Sequence, residues 1–210
     1  MDRGRQPSLF ELDGAVEPRS LDVGLEHLDL GAGAWLELRR QWVDGADRLF
    51  GHLLETVPWR EEERVMYDRM VSVPRLIATY GEDERFPHHG LGVARQILNE
   101  HYGDSSGGPL RSLGVCLYRD GRDSVAWHGD RIGRQHDADT LVAVVSLGAS
   151  RRLRLRPRGG GPSRHFDLGS GDLLVMGGSC QRTWEHTVPK TARPCGPRIS
   201  VQFRSEAPDG

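Results

Sequence analysis

From Leu113 onward the chain breaks into short β-favouring runs separated by Gly, Pro and Asp, and that punctuation constrains the fold more than any other feature. The runs are Leu113–Tyr118, Ser124–His128, Leu141–Leu147, Arg152–Arg156, Arg164–Asp167, Asp172–Met176, Thr183–Val188 and Arg198–Arg204. Eight short strands with turn signals at such spacing read as a sandwich or jelly roll. Gly159-Gly160-Gly161-Pro162 marks a hairpin tip between the strand-like RLRLR and RHFDL.

Upstream the pattern differs. Trp35 to Leu54 reads as a helix broken near Asp44-Gly45, because Trp42, Val43, Ala46, Leu49, Phe50, Leu53 and Leu54 recur at three- and four-residue steps. A second helix is predicted from Leu91 to His101, with Val93, Ile97 and Leu98 facing inward and Gly103 as its stop signal. Val57-Pro58-Trp59 and Val71 to Tyr80 read as extended. Residues 1–30, rich in Pro, Gly and Asp, read as an extended arm. The expected organisation is that arm followed by a single domain over 31–210, with its β core at about 110–205. A chain of 210 residues is long enough to bury such a core.

Composition narrows the function classes. A formal net charge of -2 gives no general hint of nucleic acid. Locally, however, Arg151, Arg152, Arg154, Arg156 and Arg158 cluster; Leu153 and Leu155 face inward, which leaves Arg152, Arg154 and Arg156 on one outer face. That face is either solvated or a phosphate-tracking stripe, to which Arg131 and Arg134 could add. Three cysteines (Cys116, Cys180, Cys195) form no CxxC pair, which fits a reducing cytosol. The polar start has no apolar h-region, and no stretch approaches the roughly 18 apolar residues of a membrane span. A cytoplasmic protein without a membrane partner is expected. Nothing resembles a dimer seam, so a monomer is expected as well. GxGxxG and a P-loop are both absent.

The chemistry-bearing pattern is a His-x-Asp pair. Nine histidines and 30 acidic residues lead to about one such triplet by chance, and the chain has three: His27-Asp29, His128-Asp130 and His165-Asp167. Context separates them. His27 falls in the predicted arm, and His165 on the outer half of a hairpin. His128 closes a β run, and residues i and i+2 of a strand face the same way. His186, 58 residues later, can complete a face of two imidazoles and one carboxylate, the donor set of a non-haem iron(II) site. In RISVQFR, Ile199, Val201 and Phe203 share one strand face and Arg198, Ser200, Gln202 and Arg204 the other. Two arginines turned into a cavity need anions, and the dicarboxylate 2-oxoglutarate would supply them through bidentate pairing.

Taken together, these residues resemble the AlkB family of iron(II)- and 2-oxoglutarate-dependent dioxygenases. The likeness spans about Leu49 to Arg204. It is carried by VPW (Val57–Trp59), PRLIATYGE (Pro74–Glu82), YRDGRDSVAWHGD (Tyr118–Asp130), VVSLGASRRLRLR (Val144–Arg156), GDLLVMGG (Gly171–Gly178), WEHTVPK (Trp184–Lys190) and RISVQFR. The resemblance implies an α+β, mainly β fold: a double-stranded β-helix (jelly roll) buttressed by N-terminal helices, with a lid-forming loop region. It implies His128, Asp130 and His186 as ligands of Fe(II), with 2-oxoglutarate and O2 as co-substrates. Tyr118 and Arg198 would take the distal carboxylate of 2-oxoglutarate, and Arg204 would sit near the end that chelates iron.

The activity implied is oxidative dealkylation of N-alkylated bases in DNA or RNA, as repair of alkylation damage. The alkyl carbon is hydroxylated and lost as formaldehyde while 2-oxoglutarate becomes succinate and CO2. A base within a strand must be flipped into the pocket; Trp59, Met66, Tyr67 and Tyr80, in the segment matching the lid, and Arg131 are candidates to contact it. Three places depart from the family pattern. Cys116 stands where Asn is frequent, Ser200 and Gln202 alter the usual R-x-N-x-T-F-R, and Arg131-Ile132 follow Asp130 where repair members commonly carry acidic residues. The competing readings are the same iron chemistry on a protein side chain or small molecule, and a non-enzymatic binding module on a degenerate jelly roll.

Overall fold

The computed structural model describes residues 15–66, 69–103, 108–130 and 139–205, with the backbone alone for 62–66 and 69–72. In chain order the elements are β1 (Glu17–Pro18), β2 (Leu25–Gly31), β3 (Ala34–Arg39), β4 (Val43–Asp44), α1 (Ala46–Thr56), β5 (Arg60–Met66), β6 (Arg69–Tyr80) and α2 (His89–Tyr102). They continue with β7 (Ser112–Tyr118), β8 (Val125–His128), β9 (Val142–Gly148), β10 (Arg151–Pro157), β11 (Arg164–Leu168), β12 (Leu173–Gly178), α3 (Cys180–Thr183), β13 (Trp184–Val188) and β14 (Arg198–Arg204). An eight-stranded sheet, ordered β2-β3-β12-β9-β14-β7-β6-β5, faces a four-stranded sheet, ordered β11-β10-β13-β8.

The eight predicted runs are β7 to β14. Strand β9 lies mid-sheet between β12 and β14, so VAVVSLG is apolar on both faces. Ala143, Val145 and Leu147 join the helix-side core, while Val142 and Val144 join the core between the sheets. On β14, Ile199, Val201 and Phe203 are fully buried on the helix side, each burial contributing about 1.5–3 kcal/mol. Helix α1 packs Ala46, Leu49 and Leu53 onto the same face, and α2 adds Leu91, Ala94 and Leu98. The opposite face of β14 is thereby left for polar side chains.

Four expectations change. Residues 25–31 are not arm but strand β2, paired with β3 at the edge of the large sheet. Trp35 to Arg39 is strand and not helix: Ala34, Leu36 and Leu38 are buried at every second position, and Trp35 between them filled the gap that would have revealed the two-residue period. The β core therefore starts well before residue 110. The segment expected as a lid loop is the strand pair β5–β6, held because β6 also pairs with β7. Val93 points outward, 42% exposed, since the buried stripe of α2 runs through Leu91, Ala94 and Leu98.

Candidate metal centre

His128 ends β8, and its cross-strand partner on β13 is His186; the two ring centroids are 4.2 Å apart. Asp130 follows after Gly129, whose backbone passes close under α3 and the start of β13. A Cβ at that glycine would stand 2.9 Å from the Gln181 carbonyl oxygen and 2.8 Å from the Arg158 guanidinium. The Asp130 amide donates to Gln181 Oε1 at 3.2 Å. One donor atom from each of His128, Asp130 and His186 falls within 4.8 Å of the others.

Protonation suits a cation. His128 Nδ1 lies 2.8 Å from the Ala126 carbonyl oxygen, so it donates there and leaves the Nε2 lone pair available. Burial lowers the pKa of both imidazoles, that of His186 to about 3; the charges of Arg204 and Arg75 act the same way on both, and the His128 ring does so on His186. Burial works against ionisation of Asp130, but Arg204 and the two histidines outweigh it and hold the carboxylate well below its ordinary range. Two neutral imidazoles and one carboxylate with open positions are what a non-haem Fe(II) site requires.

Arg204 spans to this carboxylate, Nε to Oδ2 at 3.2 Å and Nη2 to Oδ1 at 3.5 Å. At the other end of β14, Arg198 is 1% exposed. Its Nε donates to Ser146 Oγ at 2.9 Å, and its two terminal nitrogens are buried with no hydrogen-bond partner among the described residues. Such N–H groups are costly to leave unmet, and one carboxylate taking both would satisfy them. Tyr118 is its register partner on β7, with the guanidinium 5.3 Å from the phenol ring centroid. Burial first, then Cys116, push the Tyr118 pKa up to about 12 against the pull of Arg198, Arg75 and Arg151. The phenol stays protonated and able to donate.

The structure brings His128, Asp130 and His186 together with Arg204 beside them, and sets Arg198 next to Tyr118 at the other end of β14. It separates two predicted for the substrate. Trp59 packs against the helix-side core and donates to the Leu54 carbonyl. Tyr80 is the register partner of Leu113 and packs against that same core, on the opposite face of the large sheet from the metal donors. Met66 ends β5, and its side chain, like Tyr67, Arg131 and Arg134, lies outside the described residues.

One residue was missed. Arg75, buried on β6, depresses the proton affinity of both histidines and of Tyr118. It shares a strand face with Ile77, the register partner of Cys116. The alternation Arg75, Ile77, Thr79 against Leu76, Ala78, Tyr80 is visible in PRLIATY and could have found it.

The arginine stripe is largely occupied. Arg152 pairs with Asp167 at 2.8 Å and Arg156 with Glu185 at 3.1 Å. Arg154 donates to Ser163, and Arg156 lies 4.2 Å over the Trp127 ring. Arg151 is buried and donates to the carbonyls of Asp120, Asp123 and Pro189. The other triplets find no third donor among the described residues; His27 instead pairs with Glu37 at 2.9 Å.

Residues 41–204 match the 2OG-Fe(II) oxygenase superfamily. The chain is 31% identical to the alpha-ketoglutarate-dependent dioxygenase alkB homolog 3 of Bos taurus, over 99% of this chain and 76% of that protein. It is 25% identical to the DNA oxidative demethylase ALKBH2 of Arabidopsis thaliana, over 95% of this chain and 76% of that protein. Among solved structures, that of OsALKBH1 superposes with a TM-score of 0.57 at 14% identity, covering 86% of this chain and all of the other. That likeness fits two facing antiparallel sheets folded as a jelly roll.

Proposed function

The chain belongs to the 2OG-Fe(II) oxygenase superfamily and to its AlkB family, and from that premise we propose that it removes alkyl groups oxidatively from N-alkylated bases of DNA. It is a dioxygenase that uses Fe(II), 2-oxoglutarate and O2. The observation that carries the reading is the convergence of His128, Asp130 and His186 within 4.8 Å. These three hold the iron. Bound there, it supplies the activation of O2 that couples decarboxylation of 2-oxoglutarate to oxidation of an alkyl carbon.

The protein's own part is to hold, orient and exclude water. Arg198 and the protonated Tyr118 bind the distal carboxylate of 2-oxoglutarate. Arg204 fixes the Asp130 carboxylate beside the metal. The apolar core between the sheets, including Leu155 and Trp184, closes one side of the site against water.

DNA as the target rests on relatives named DNA oxidative demethylase. RNA is a further substrate to test beside it. A monomer is supported by how few large hydrophobics stand exposed among the described residues, namely Val23, Leu54 and Val93; sedimentation at rising concentration checks it. Cytoplasmic location is supported by the free thiols of Cys116, Cys180 and Cys195, and cell fractionation checks that.

The deciding assay supplies Fe(II), 2-oxoglutarate and an oligonucleotide bearing 1-methyladenine or 3-methylcytosine, as DNA and RNA, single- and double-stranded. Formaldehyde and succinate should appear together and depend on the lesion. Succinate formed at one rate with or without every oligonucleotide, and no formaldehyde, would overturn the DNA reading and turn the search to protein or small-molecule targets.

A further inference from the structure

We infer that Gln202 is a positioning residue that locks Arg204 onto the metal-binding carboxylate, so that Asp130 meets an ion in one orientation. The inference rests on the metal-site reading above. Gln202 Oε1 accepts from Arg204 Nη2 at 2.8 Å. Its amide nitrogen donates to Ser200 Oγ at 3.0 Å and approaches Cys116 Sγ at 3.5 Å. The amide therefore has a cationic donor on one side and acceptors on the other, which leaves it a single favourable orientation.

From there the chain of contacts runs through Arg204 to both Asp130 oxygens. Space for it comes from Gly114, the register partner of Gln202 on β7. A Cβ at Gly114 would stand 2.7 Å from Arg204 Nη1, so any other residue here would make the guanidinium shift from where it lies across that strand. Ser200, Gln202, Arg204 and Gly114 thus make one unit behind the ligand carboxylate. Arg204 is the group directly behind the ligand, and losing such a partner typically weakens metal binding about 10–100-fold; the others act through it.

The test is calorimetric titration of the metal-free full chain with Co(II), a redox-stable stand-in for Fe(II), beside the visible absorption of the bound ion. Gln202→Met keeps the shape and removes the acceptor; it should weaken Co(II) binding about 10-fold or more and shift the absorption bands. Gln202→Glu keeps an acceptor and should restore wild-type behaviour. Gly114→Ala leaves Gln202 intact but displaces Arg204, and should act like Gln202→Met; it decides the matter if Gln202→Met melts early. Wild-type Co(II) affinity and spectrum in both weakened variants overturn the inference while sparing the metal site. A wild-type chain that takes up no Co(II) overturns both.

Discussion

His128 and His186 are direct cross-strand partners on β8 and β13, although 58 residues separate them in the sequence. Their proximity is a matter of ladder register. A slip of one residue would turn His186 to the outer face and dissolve the site. Asp130 enters the same space because Gly129 lets the chain pass under the Gln181 carbonyl.

Asp130→Ala should reduce succinate production to background and abolish Co(II) uptake. Removing the carboxylate also leaves Arg204, 12% exposed at its side chain, without its anion. A loss of about 1.5–3 kcal/mol in metal-free stability is expected, read from the urea midpoint. A variant that retains turnover would sink the assignment of this carboxylate.

Arg198→Lys should raise KM for 2-oxoglutarate with little change in kcat. Lysine keeps a charge but loses the two terminal nitrogens that are buried without an acceptor, and hydrogen bonds to charged groups contribute about 1.5–3 kcal/mol. The expected rise is on the order of 10- to 100-fold. An unchanged KM for 2-oxoglutarate would place that carboxylate elsewhere.

Acid should destabilise the metal-free protein. The His186 pKa is about 3 in the fold against an ordinary 6.5, so below pH 6.5 the unfolded chain takes up a proton that the folded one refuses. Stability is full above 6.5 and falls as pH drops towards 3, with a slope of at most about 1.4 kcal/mol per unit from one imidazole. His128 acts in the same direction, and Asp130, its pKa also depressed, extends the loss below its unfolded value. Urea midpoints across this range should be less steep for His186→Gln; equal slopes would refute the account.

Gly129→Ala should lower metal-free stability by about 1–3 kcal/mol through overpacking, because the added methyl meets the Arg158 guanidinium and the Gln181 carbonyl. Co(II) affinity should fall with it, since Asp130 is next in the chain. Thermal melts and titration test both, and a variant indistinguishable from wild type would show that this turn adjusts freely.

Arg154→Ala should change the salt dependence of oligonucleotide binding by less than about one counterion. The two neighbouring arginines of the stripe are paired with Asp167 and Glu185. A larger change in the slope of log affinity against log salt would restore the stripe as a phosphate track.

Much of this was legible in the chain. RISVQFR could be divided into faces because Ile199, Val201 and Phe203 leave no ambiguity about which side is apolar. Strand β3 was not, because Trp35 sits between Leu36 and Ala34 and disguises their period. For Arg75 the alternation in PRLIATY offered two faces, and which of them meets the site was decided only by β6 lying beside β7, where Ile77 stands opposite Cys116. Tyr80 failed by the same rule: a strand residue has two possible faces, and its pairing with Leu113 chose the helix side.

The metal donors stand on one sheet and the two arginines of β14 on the other. Leu155 is the register neighbour of His186, Val144 that of Gln202, and both belong to the core that separates the sheets. The thickness of that core therefore sets how far the small sheet, with its metal donors, stands from Arg198 on the large one. A methylene gained or lost among those apolar residues would be felt as a shift of one sheet against the other, at a site none of them has to touch.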